Sequence, residues 1–150
     1  MKIIFLGDII GRSGCNSIKQ NLTKIIRENK IDFVVVNGEN ADETGFGITE
    51  NITNELIACG VDVITTGNHV WDQKETSQYI VSEKSLLRPQ NLFKDSPGSG
   101  FEIYKSKNNF NIGVLNLMGN VYMKKCDDVF EVSKNFLKKN KLKENYDFLI

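Results

Sequence analysis

Three short apolar runs each stop at a glycine with polar side chains close behind, and this repeat constrains the chain more than any other feature. The first run is Lys2–Leu6, followed by Gly7-Asp8. The second is Ile31–Val36, β-branched and nearly continuous, which stops at Asn37-Gly38 and leads into Glu39-Asn40. The third is Val61–Thr66, followed by Gly67-Asn68-His69. Continuous Val/Ile-rich runs are what strands buried on both faces require. Between them lie segments of helical period. Ser17–Asn29 carries Ile18, Leu22, Ile25 and Ile26 on one face. Thr49 is placed to cap a second helix containing Ile52, Leu56 and Ile57, with Gly60 where a helix-ending glycine belongs. Asp72 and Glu75 have the spacing of a cap and its third-residue partner, predicting a third helix to about Ser82. The β-α-β-α-β-α order predicts an α/β fold with helices packed on a parallel sheet.

The second half differs. Arg88-Pro89 and Ser96-Pro97-Gly98 mark an irregular connection. Phe101–Tyr104 and Phe110–Leu117 read as strands of a hairpin turning at Lys107-Asn108-Asn109, and Asp127–Lys139 as a helix. Tyr146–Ile150 resembles the opening of a further core strand, so the 150 residues are expected to be an incomplete domain.

In a parallel sheet the three glycine stops share the carboxyl edge, where ligands of open α/β sheets bind. Two carboxylates, two amides and the single histidine of the chain would meet there. Glycine before each would let the backbone turn sharply and approach a ligand. Carboxylate, amide and imidazole donors suit Mn, Fe or Zn better than a thiolate-preferring metal. A carboxylate can bridge two metals, which ~4 Å apart clamp both oxygens of a phosphoryl displacement. Glu39 is the candidate bridge, Asp8 and Asn40 ligands of one metal, and Asn68 a ligand of the other. His69 is placed to protonate a leaving oxygen. Each residue alone has a plainer reading: Asp8 a cap or turn residue, Glu39-Asn40 a solvated loop, His69 a structural histidine. Gly7–Gly14 also has the glycines of a phosphate-cradling loop but matches neither common nucleotide fingerprint. Gly45-Phe46-Gly47 is a loop near the same edge, placed either to hold substrate or to turn the chain. Trp71 and Asp72 read as packing and capping residues.

Composition removes other classes. Nineteen basic and nineteen acidic residues balance, which disfavours a broadly basic nucleic-acid surface. Lys124-Lys125 and Lys138-Lys139 read as solvated faces. No apolar run approaches the ~18 residues of a membrane span, and the start is too short for a signal peptide, so cytoplasmic residence is expected. Cys15, Cys59 and Cys126 form no metal-binding pair, and without a second histidine to activate them they read as buried thiols.

The segments GDIIGRSG at 7–14, NGENAD at 37–42, TTGNHVWD at 65–72, LLRPQN at 86–91 and NLMGN at 116–120 closely resemble the YmdB-like branch of the calcineurin-like metallophosphoesterases. The resemblance implies a four-layer α-β-β-α sandwich, of which this chain is the N-terminal portion. It implies a phosphodiesterase acting on 2′,3′-cyclic nucleotides through a hydroxide activated by two metal ions, iron or manganese, divalent or mixed-valence. Asp8, Glu39, Asn40 and Asn68 match metal ligands and His69 the proton donor. Three further histidine ligands belong to the family pattern, and none exists here, so the metal cage is expected to be incomplete, and whether the chain is active by itself is left open. Expected partners are small phosphodiesters, including nucleotides derived from RNA; no membrane partner is expected, and self-association is left open. The alternative from a different class is a non-catalytic nucleotide- or phosphate-binding module.

Overall fold

In the computed structural model, residues 1–123 and 126–150 are described. The expected solvated pair Lys124-Lys125 lies outside them. Strand β1 (Ile3–Leu6) leads into helix α1 (Gly11–Asn29), then β2 (Phe33–Asn37), α2 (Glu50–Ala58), β3 (Val63–Thr65), the single turn α3 (Thr76–Tyr79) and β4 (Leu86–Leu87). After an irregular connection come β5 (Phe101–Lys105), β6 (Asn111–Leu115), α4 (Val129–Lys139) and β7 (Phe148–Leu149).

The first four strands form one parallel sheet in the order β1-β2-β3-β4. Because the order follows the sequence and parallel crossovers are right-handed, α1 and α2 fall on the same face. There Leu22 of α1 and Leu56 of α2 pack with Val34, Val36, Ile64 and Leu86 of the sheet. That leaves the opposite face free for a second sheet. Phe33, Val35, Val63 and Leu87 point to it and meet Ile112 and Val114 of β6, all essentially excluded from solvent. The alternation along β2, one side chain to the helices and the next to the second sheet, explains why its sequence is continuously apolar. The second sheet is mixed: β5 and β6 are antiparallel, β6 and β7 parallel. Phe136 of α4 meets the outer face of this sheet edge-on at Phe101, 4.6 Å between ring centroids. Among the described residues β1 is an edge, paired on one side only, and its Phe5 is 55% exposed.

Several expected elements change. α1 starts six residues ahead of the predicted Ser17, so Gly11–Gly14 is a helical turn and not a phosphate-cradling loop. Gly14 has low helix propensity, but a Cβ there would come 3.0 Å from Ile9 Cγ2, so the close approach of helix and chain outweighs propensity. The third helix shrinks to one turn, because Asp72 and Glu75 are engaged elsewhere. Asp72 bonds to His69, and Glu75 accepts from the Glu50 amide at 3.2 Å. Thr49 caps α2 as predicted, accepting from the Ile52 amide at 3.3 Å, and Gly60 adopts φ 102°. The three cysteines are free, but only Cys15 is fully buried; Cys59 and Cys126 are half-buried. Cys15 donates to the Ala41 carbonyl, and burial raises its thiol pKa. Among the described residues no helix is long and apolar enough to cross a membrane.

Candidate metal and phosphate site at the strand ends

The parallel ladders place the three glycine stops on one edge. Beyond β1 and β2 the chain segments still run side by side: the Ile9 amide donates to Asn37 O at 2.9 Å and the Gly11 amide to Asn40 O at 2.8 Å. The Gly38 amide donates to Thr65 O at 2.9 Å, binding the second turn to the third strand. All five candidate side chains therefore hang from one ledge.

They form three small groups. Asn40 Nδ2 donates to Asp8 Oδ1 at 2.8 Å. Asp8 holds a left-handed backbone, φ 44°, a conformation Asp tolerates better than most residues. Glu39 and Asn68 line one open cleft of about 500 Å³, bounded on the other side by Asn116 and Met118 beyond β6. His69 Nδ1 lies 2.6 Å from Asp72 Oδ2, and the ring of Phe46 tilts against the imidazole, 4.8 Å between centroids.

Charge links the groups. Burial pushes the Glu39 carboxyl above the ordinary carboxylate range and the charge of Asp8 adds to that, while His69 and Asn37 pull it down. The stops differ in what their glycines do. A Cβ on Gly67 would lie 1.6 Å from Glu39 Oε2, so the carboxylate occupies the space a side chain would take. At Gly38 a Cβ would come 2.9 Å from Ile64 Cγ2, which is a packing demand. Gly7 has open space around it and no unusual φ, so the structure does not explain it; the turn falls on Asp8 instead.

The donor set fits a cation. Asn40 Oδ1 is buried with no hydrogen-bond partner, a state that costs about 1–3 kcal/mol. A metal ion is one ligand that would satisfy this oxygen, beside a paired carboxylate and a second carboxylate cradled over Gly67. Among the described residues no three His, Cys, Asp or Glu side chains converge on a point, so the amides of Asn40 and Asn68 would have to complete any coordination.

Around these groups, two side chains escaped the sequence reading and a third was read only as part of a loop. Asp72, read as a cap, orients His69; the His-x-x-Asp spacing was the available signal. Phe46, flanked by Gly45 at φ 82° and Gly47 at φ 77° in the loop read as holding substrate or turning the chain, leans on the imidazole. Asn116 Nδ2 donates to Thr66 O at 2.8 Å and Leu87 O at 2.9 Å, tying the two sheets together under the cleft.

Known proteins resemble this chain in sequence and in fold. The sequence is 39% identical over 130 residues to the 2′,3′-cyclic-nucleotide 2′-phosphodiesterase of Bacillus subtilis (strain 168), covering 87% of this chain and 48% of that protein. A crystal structure of a novel phosphatase from Mycoplasma pneumoniae superposes with a TM-score of 0.88 at 33% identity, over 100% of this chain and 53% of that one. A crystal structure of a hypothetical protein from Thermus thermophilus superposes with a TM-score of 0.87 at 29% identity, over 99% and 56% respectively. The chain thus spans about half the length of each. The profile of the YmdB-like protein family matches residues 4–150. By fold, by relatives named for phosphoester hydrolysis and by that match over nearly its whole length, the chain belongs to the YmdB-like family.

Proposed function

We propose that this chain is the N-terminal part of a cytoplasmic metallophosphoesterase domain of the α-β-β-α type, and that the parent activity is hydrolysis of 2′,3′-cyclic nucleotides. The observation that carries the reading is the ledge itself: a carboxylate cradled over Gly67, a carboxylate–amide pair at Asp8 and Asn40, and an oriented imidazole at His69, all on one sheet edge. Small cyclic phosphodiesters, such as those left by RNA cleavage, are the substrates this chemistry suits.

Asp8 and Asn40 would hold one metal ion, Asn68 a second, and Glu39 would bridge them; oxygen donors suit manganese, and iron is the other ion that the family resemblance implies. When bound, such ions supply charge neutralisation at the phosphoryl oxygens and lower the pKa of a water nucleophile. The chain's own residues do the rest. Asp72 holds Nδ1 of His69, leaving Nε2 to carry the proton given to the departing ribose oxygen. Phe46 fixes the plane of the ring from one side. Asn116, by pinning the second sheet under the cleft, holds the wall opposite Glu39 and Asn68.

Two measurements test the reading. In the full-length protein, His69→Ala should lower turnover by about 100-fold or more while metal content stays unchanged. Parallel loss of metal and activity would make His69 a ligand instead. In the 150-residue chain, nucleotide binding at the cleft lined by Glu39 and Asn68 should require manganese and should weaken in Asp8→Ala and Glu39→Ala. Nucleotide binding at that same cleft that ignores metal would favour the non-catalytic binding module.

A further inference from the structure

We infer that a second cleft, between α4 and the start of β5, binds a small phosphate-bearing molecule. It measures about 730 Å³ and shares no lining residue with the cleft at the strand ends. This inference does not rest on the phosphoesterase reading.

Arg88 lines the cleft and is only 7% exposed. Its Nε donates to Pro97 O at 3.1 Å and its Nη1 to Pro89 O at 2.8 Å. These bonds tether the irregular connection, which gives the side chain a structural role, but carbonyls do not neutralise a full charge. Among the described residues Arg88 has no carboxylate partner. Burial accordingly lowers the guanidinium pKa. A buried cation without a counter-charge is costly, and buried charges in proteins are normally paired.

The rest of the lining points the same way. Lys94 and Lys139 border the cleft, and neither forms an ion pair among the described residues. Asp127 is the one acidic residue in the lining, so three cations against one carboxylate leave a net charge of +2. Gln90 and Asn135, whose side chains make no hydrogen bond among the described residues, add polar groups at the wall. A planar guanidinium beside flexible ammonium groups is the arrangement that holds a phosphate through charge-assisted hydrogen bonds.

The test is a titration of the 150-residue chain, free of metal and at low salt, with inorganic phosphate, ribose 5-phosphate and ribose, followed by amide NMR. Both phosphates should shift Gln90, Asn135 and Lys139 saturably, ribose should not, and Lys94→Ala/Lys139→Ala should weaken binding by about tenfold or more. The double variant removes exposed side chains only, so folding is preserved. Arg88→Met should abolish the shifts, and if that variant unfolds the lysine pair decides alone. Shifts confined to residues near Asp8 and Glu39, an equal response to ribose, or an unchanged affinity in the lysine variant would each overturn the proposal.

Discussion

At residue 67 a hydrogen atom in place of a side chain decides where a carboxylate can rest. Glu39 Oε2 lies 1.6 Å from the position of an added Cβ, yet it is the far end of a flexible side chain and can swing away. Gly67→Ala should therefore cost little stability, about 1 kcal/mol or less, and should shift Glu39 off its seat. The expected outcome is a melting temperature within a few degrees of the parent by circular dichroism, with manganese uptake reduced, though no further than in Glu39→Ala. A stability loss without an effect on uptake would reduce Gly67 to a packing residue. The same comparison shows why glycine is hard to read from sequence. Gly7, Gly38 and Gly67 look equivalent in the chain, but one has open space, one meets Ile64 and one meets the Glu39 carboxylate. The distinction depends on residues ~30 positions away, which a local pattern does not contain.

Among the elements, strands buried on both faces were the most legible, because β2 and β3 must be apolar at nearly every position. Caps with a side-chain acceptor, such as Thr49, were legible too. The two-residue strand β4 was not, since Leu86-Leu87 has no period to detect. α3 misled because Asp72 and Glu75 carry capping spacing but commit their carboxylates to His69 and to the α2 terminus. α1 ends in an unexpected way: Lys30 takes the left-handed position, φ 54°, that glycine usually fills, and its amide donates to the Ile26/Arg27 carbonyls. Lys30→Gly should relieve that conformation and stabilise the chain by about 0.5–1 kcal/mol, read from urea unfolding.

On the scale of the whole molecule, two sheets meet through a dry layer that includes Phe33, Val35, Ile112 and Val114, with one polar stitch at its end. Asn116 donates to a carbonyl of Thr66, just past β3, and to that of Leu87 at the end of β4. Asn91 Nδ2 and Oδ1 bind Met118 O and N at 2.8 and 2.9 Å. Asn116→Ala would remove a buried donor from two carbonyls. Leu87 O keeps the Thr66 hydroxyl at 2.8 Å, so the variant should destabilise by about 1–3 kcal/mol in chemical unfolding, whereas Asn135→Ala on α4 should fall within about 0.5 kcal/mol of the parent. The candidate ligands were legible because parallel topology brings strand ends together whatever the separation in sequence. The wall opposite them was not, because it arrives from a second sheet whose docking is recorded only in which faces of β2 and β3 are apolar.

The bare edge of β1 carries a practical consequence for the isolated polypeptide. Ile-Ile-Phe-Leu presents backbone donors and acceptors along its free side with no charged residue inside the strand to discourage a second chain. Ile3 is 37% and Phe5 55% exposed there. Such a strand is a template for intermolecular pairing, so the 150-residue chain should self-associate as its concentration rises. Light scattering should show that growth, and Phe5→Lys should suppress it while leaving the circular dichroism spectrum unchanged. The working concentration of the protein would then be set by four residues near its beginning.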